Sequence, residues 1–355
     1  MPIQGTDQFH EFHAHPEFAY LAGAQTPGAV LVFDPAEGWA LFAPVASLED
    51  RVWVGDGVDH AELGQRIGLP VRPLAEFERW IERRRSEPVA ILGNHDIVRH
   101  SRAYGAASWV SLELEIDESL GERLSEQVSE ARRAKDTGEV ALMRAAAEAS
   151  AAGHLFALRH AHPGMTERQL EIEVEAAFFR AGAERTAYGT IVGTGSNGAV
   201  LHFAPTDRVL RDGEVVLIDA GAEFGGYASD VTRTFPAGRR FEGAHRDLYE
   251  LVLAVQQAAI AAAKPGVEYR ELHLAACSQM AAGLVDLGLC KGSVQDLVER
   301  DAHALFFPHG LGHMLGLSTH DAGGCLAGRA PSDRFGLKWL RADLPLQPGY
   351  VVTIE

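Results

Sequence analysis

The sequence predicts an α/β N-terminal domain followed by an α+β domain built twice from one helix–strand unit. Three observations carry this. Residues 28–116 alternate short apolar runs with amphipathic stretches, a charged segment at 117–135 breaks that pattern, and two pairs of segments recur in the same order beyond it. The charged segment sets the boundary, giving domains 1–125 and 126–355. A chain of 355 residues holds two such domains at ~100–200 residues apiece.

In the N-terminal part, GAVLVFD, GWALFAPV, RVWVGD, PVAILG and SWVSLELEI read as strands, rich in Val, Ile, Leu and Trp. HAELGQRIGLP and PLAEFERWIERRRSEP have the spacing of amphipathic helices between the third and fourth runs. Asn94-His95-Asp96 reads as a turn, and His10, His13 and His15 as a polar terminus. Ala-rich helices are expected at 137–160 and 166–182. Thr166, with Gln169 three residues on, makes a capping box for the second.

The repeat is the most informative feature. HPGMTERQL at 162–170 returns as KPGVEYREL at 264–272, an offset of 102 residues. DGEVVLID at 212–219 returns as PGYVVTIE at 348–355, an offset of 136. Both members of the second pair read Gly-x-Val-Val-x-Ile and then a carboxylate, so each half delivers an acid at a strand end.

Composition narrows the function classes. Hydrophobic residues make up 46% and charged residues 23%, as in ordinary globular proteins. A net charge of −17 argues against a broad nucleic-acid or anionic-membrane surface, which needs clustered cations. No run approaches the ~18 apolar residues of a membrane span. Cys277, Cys290 and Cys325 are scattered and form no disulfide framework, and the opening residues carry no secretory pattern. A cytoplasmic protein is expected.

The chemistry lies in residues 215–235, VVLIDAGAEFGGYASDVTRTF, which read as a hairpin. Asp219 and Asp230 flank its loop equally, so a simple register places them face to face. Opposed carboxylates repel unless a cation lies between them. Two divalent ions ~3.5–4 Å apart fit that spacing. FFPHGLGHMLGLSTHD adds His309, His313 and His320; Gly310 and Gly312 argue against a helical zinc pair there. One of these histidines could ligate while the others work on substrate. Glu355, the repeat counterpart of Asp219, is a third carboxylate aimed at the same place. Such an oxygen-rich set favours Mn²⁺ or a similar ion.

At these residues the sequence resembles the prolidase and aminopeptidase P family of dinuclear metallopeptidases. The resemblance implies that Asp219, Asp230, His313 and Glu355 are the metal ligands, holding two ions, with Mn²⁺ first and Co²⁺ or Zn²⁺ as alternatives. YGTIVGTGSNGAVLHF resembles the family segment whose Tyr lies near the metals and whose His binds substrate and moves protons; these map to Tyr188 and His202. His309 and His320 match two further active-site histidines. The implied catalytic set is His202, His309, His320 and Glu355, with Tyr188, His202, His320 and Arg341 on the substrate. A "pita-bread" catalytic domain with a pseudo-twofold axis and a homodimer are also implied.

GLKWLRADLPLQPGYVVTIE is closest to the prolidase branch, where an Arg meets the free carboxylate of a dipeptide; Arg341 takes that position. The reading is therefore an Xaa-Pro dipeptidase acting on small dipeptides with C-terminal proline. Two alternatives stand beside it: an aminopeptidase P acting on longer Xaa-Pro peptides, and a non-catalytic binding protein on the same fold. The family's fifth ligand, a Glu beyond TIEPG, has no counterpart in these residues, so an incomplete chain is expected.

Overall fold

The computed structural model describes residues 11–84, 86–93, 115–238, 240–326 and 328–355. The chain divides into two units, 1–131 and 132–355.

The first unit opens with helix α1 (Pro16–Ala22). Strands β1 (Val30–Asp34) and β2 (Gly38–Ala43) then form an antiparallel hairpin, with Val30 opposite Phe42. Helices α2 (Leu48–Val54) and α3 (His60–Ile67) follow, and β3 (Val71–Pro73) joins β2 in parallel, Leu41 opposite Val71. Helix α4 (Phe77–Glu82) lays Phe77 and Trp80 on Phe42, with ring centroids 5.4 and 5.8 Å away. Burying aromatics of this size dominates the energetics of so small a core.

One expected strand is a helix. RVWVGD falls largely within α2, because Ser47 and Asp50 close a capping box in which each side chain takes the other's backbone N–H. That local bonding outweighs the β propensity of Val-Trp-Val. Among the described residues PVAILG contributes one parallel bridge, Val89 to Ile116. Most of SWVSLELEI, Asn94-His95-Asp96 and His10 lie outside the described residues.

Helix α5 (Glu118–Arg133) covers the charged segment, and α6 (Thr137–His160) and α7 (Glu167–Arg180) are the two expected Ala-rich helices. The Thr166 hydroxyl accepts from Gln169 N–H at 3.1 Å, while Thr166 N–H donates to Gln169 Oε1 at 2.9 Å. Six strands follow: β4 (Arg185–Thr186), β5 (Ile191–Thr194), β6 (Val215–Asp219), β7 (Ala222–Phe224), β8 (Tyr227–Ala228) and β9 (Thr232–Pro236). They make two sheets ordered β5-β6-β9 and β4-β7-β8. Helices α8 (Gly243–Ala262), α9 (Tyr269–Asp286) and α10 (Val294–Glu299) and the short parallel pair β10 (Gly324–Cys325) and β11 (Ala342–Asp343) complete the unit.

The repeat is reproduced in three matching backbone hydrogen bonds. Gly164 N–H donates to Leu210 O at 3.0 Å, and Gly266 N–H to Leu346 O at 2.7 Å. Leu210 N–H donates to Met165 O as Leu346 N–H does to Val267 O, at 2.8 and 2.9 Å. Glu167 N–H reaches Arg208 O and Tyr269 N–H reaches Leu344 O. Each half then runs an antiparallel pair: β5 against β6, and residues 311–315 against 351–355, where Met314 bridges Val352. Leu170, Val174 and Phe178 of α7 pack on Val192, Val216 and Ile218. In the second half Leu272, Ala276 and Leu284 of α9 pack with Leu311 and Leu346. Each large side chain buried this way contributes ~1.5–3 kcal/mol.

Among the described residues no helix is long and apolar enough to cross a membrane, and the three cysteines are free.

Candidate metal centre

The hairpin that carries the two aspartates turns at Gly225 and Gly226, with φ of 58° and 82°. Two successive positive φ values define the tight turn that matches strand twist, and glycine adopts them without penalty. This turn places Asp219 opposite Thr232. The expected face-to-face pairing of Asp219 with Asp230 is thus corrected by two residues: the carboxylates are diagonal neighbours on one face. They still meet, because the Tyr188 hydroxyl lies 2.5 Å from Asp219 Oδ1 and 2.9 Å from Asp230 Oδ1 and shares its one proton between them.

The second half supplies the rest. His313 Nε2 is 3.2 Å from Asp230 Oδ2 and 3.1 Å from Glu355 Oε1. One donor atom from each of Asp230, His313 and Glu355 lies within 4.8 Å of the others. His313 Nδ1–H donates to Met314 O at 2.9 Å, which leaves Nε2 for the cluster. Fixing the far ring nitrogen in this way is how metal-binding histidines are oriented.

Charge in this cluster is unbalanced without a cation. Burial pushes Asp219 up to about 6, opposed by the Tyr188 hydrogen bond and reinforced by the charges of Asp230 and Glu355. Burial disfavours a charged His313, but its hydrogen bonds to Asp230 and Glu355 prevail and carry it up to about 10. Burial raises Glu355, yet bonds from His313 and Thr353 outweigh it and hold it below its ordinary value. The imidazolium therefore supplies the positive charge these carboxylates need. A divalent ion can take over that role, and carboxylate oxygens with one imidazole are a hard donor set suited to it.

The other expected residues are placed as follows. His320 is exposed, with its ring 4.4 Å from that of His313 and nearly perpendicular to it. Desolvation, the His313 charge and Arg341 lower it to about 4, so it is neutral at neutral pH. His309 Nδ1–H donates to Gly310 O at 2.8 Å, leaving Nε2 as an acceptor. Arg341 is exposed, and among the described residues its guanidinium is in no ion pair. His202 sits exposed in the turn after Gly195–Ala199, and no hydrogen bond among the described residues joins it to the cluster.

Three supporting residues escaped the sequence reading. Thr353 accepts from His313 N–H at 3.0 Å and donates its hydroxyl to Glu355 Oε1 at 2.7 Å. Buried Tyr269 donates to Thr353 O at 2.8 Å. Buried His273 accepts from Leu311 N–H and donates to Gly336 O, bracing the strand that bears His313. These contacts join positions tens of residues apart, and no local pattern announces them.

Comparison with known proteins identifies the family. Residues 141–355 match the family model of metallopeptidase family M24, and residues 1–89 match that of the aminopeptidase P N-terminal domain. The chain is 33% identical over 368 residues to the Xaa-Pro aminopeptidase of Escherichia coli (strain K12), spanning 99% of this chain and 79% of that protein. Among solved structures, proline aminopeptidase P II from Yersinia pestis superposes with a TM-score of 0.83 at 33% identity, covering 99% of this chain and 80% of that one. Zn-substituted E. coli aminopeptidase P in complex with product gives 0.83 at 32% identity, covering 99% and 79%. These relatives carry the name aminopeptidase, which favours the aminopeptidase alternative over the dipeptidase reading. With an aminopeptidase P-type N-terminal domain and a pita-bread catalytic domain, this chain belongs to metallopeptidase family M24.

Proposed function

We propose that the chain is an Xaa-Pro aminopeptidase, releasing the residue before proline from the N-terminus of peptides. The convergence of Asp230, His313 and Glu355, with Asp219 tied in through Tyr188, carries this reading. Asp219, Asp230, His313 and Glu355 would hold two Mn²⁺ ions, which supply Lewis acidity to the scissile carbonyl and to the attacking water.

The chain's own residues do the rest. Neutral His320, beside the cluster, can donate a ring N–H to the substrate carbonyl oxygen as charge gathers there. His309 Nε2 is an acceptor for a substrate N–H or ammonium group. Glu355, held ionised by His313 and Thr353, can accept a proton and pass it toward the leaving nitrogen. His202, exposed in the turn after Gly195–Ala199, would add a further imidazole for the substrate.

The test is cleavage of Ala-Pro-Ala after chelation and readdition of Mn²⁺. Metal-restored release of alanine is expected; a fully metal-loaded protein inert on this peptide would sink the assignment. One observation favours the dipeptidase instead: the exposed Arg341 guanidinium beside His320 could clamp a dipeptide carboxylate. Ala-Pro cleaved faster than Ala-Pro-Ala, with the preference removed in Arg341→Ala, would establish that reading.

A further inference from the structure

The repeat makes it possible to ask which residues serve the fold and which serve the site. Segments 311–315 and 351–355, joined by the bridge Met314–Val352, run in the register of β5 with β6, and His313 and Thr353 stand where the first half has Gly193 and Leu217. Tyr269, at the start of α9, stands where α7 has Glu167. The first half folds the same unit with a leucine in place of Thr353. The hydroxyl is therefore particular to the second half, where it takes the His313 N–H that a regular ladder would give to a backbone carbonyl.

In the second half that hydroxyl is fully employed. Thr353 is 8% exposed, and its Oγ1 accepts from His313 N–H and donates to Glu355 Oε1. It thus bonds both the backbone of one ligand residue and the carboxylate of another. Its own carbonyl is held by the Tyr269 hydroxyl, and the next carbonyl, of Ile354, accepts from Gln256 Nε2 at 2.8 Å. Segment 351–355 is braced through side chains here, and the Glu355 carboxylate accepts from the Thr353 hydroxyl while it faces His313.

We infer that Thr353 is a positioning residue for the metal centre, its hydroxyl setting the orientation of Glu355 relative to His313 and hence the affinity for a divalent ion. This rests on Asp230, His313 and Glu355 being metal ligands. Outer partners of ligand side chains typically govern metal affinity by about 10–100-fold.

The experiment compares the 355-residue chain with Thr353→Val and Thr353→Ser. Mn²⁺ affinity is read by competition with a chelating dye, and thermal unfolding is followed on the metal-free proteins. Thr353→Val, which keeps the shape and removes the hydroxyl, is expected to bind Mn²⁺ about 10–100-fold more weakly while keeping a cooperative unfolding transition. Thr353→Ser is expected to stay near the unsubstituted affinity. The inference is overturned if Thr353→Val binds as tightly as the unsubstituted chain, if it loses its folding transition, or if Thr353→Ser is as weak as Thr353→Val. An unsubstituted chain that takes up Mn²⁺ but leaves Ala-Pro-Ala intact would refute the peptidase reading alone; one that takes up none would refute both.

Discussion

Asp321 follows His320 directly and is the anion of a buried charge cluster. Its carboxylate accepts from Lys135 Nζ at 2.8 Å and from the Arg132 guanidinium. Side-chain exposure is 1% for Asp321, 1% for Lys135 and 7% for Arg132, so water screens none of these charges. Arg133 adds a bond from Nη2 to Gly323 O at 2.9 Å, so the loop after His320 is clamped by consecutive basic residues. Asp321→Asn keeps the shape but leaves two buried cations without their counter-charge and turns an amide N–H₂ toward one of them. Removing one partner of a buried ion pair costs about 3–5 kcal/mol. At roughly 2–4 °C per kcal/mol for a unit of this size, the melting temperature should fall by about 6–20 °C. Thermal unfolding of the metal-free protein is the assay, because bound metal would add its own linkage. Lys135→Met should cost less, since Asp321 then retains Arg132. A loss below about 1 kcal/mol in Asp321→Asn would refute the uncompensated-charge argument.

Three further outcomes are expected. Asp230→Asn should abolish turnover with the fold intact, since it removes one of the three convergent donors; activity surviving at saturating Mn²⁺ would contradict the site. In the metal-free chain His313 keeps its proton up to about 10, so bound metal displaces it at neutral pH. Mn²⁺ affinity should therefore rise about tenfold per pH unit between pH 7 and 9, and more steeply below about 6, where Asp219 is also protonated; a flat profile would refute this. Gly312→Ala would set a Cβ 2.2 Å from Thr353 O and 2.6 Å from the Tyr269 hydroxyl, costing about 1–3 kcal/mol of stability in denaturant titrations and displacing the strand that carries His313. A variant with unchanged stability would show that the strand yields easily.

Much of the catalytic half was readable from short-range patterns. The Thr166–Gln169 box, the Gly-rich turn of the hairpin and the recurrent Gly-x-Val-Val-x-Ile-acid strand are each complete within a few residues, and each appears in the structure as expected. Short range also misled. Val-Trp-Val at 52–54 has strand character, but Ser47 and Asp50 fix the helix one turn upstream. Symmetry of the two aspartates about the loop predicts a register two residues away from the observed one, because the backbone turns at the glycine pair.

By itself, then, the sequence determined that two equivalent helix–strand units each end in an acid, that a third carboxylate and a histidine-rich loop accompany them, and that the whole resembles a metallopeptidase family. Those properties reside in residue order and periodicity. Only tertiary structure decided that Tyr188 bridges the two aspartates, that His313 Nε2 lies about equally near Asp230 and Glu355, and that Thr353 and Tyr269 hold the segment carrying Glu355. Each of those contacts is a directional hydrogen bond or ion pair between side chains brought together by packing. Its geometry exists only once the two halves of the repeat have closed on one another, and no spacing along the chain encodes it.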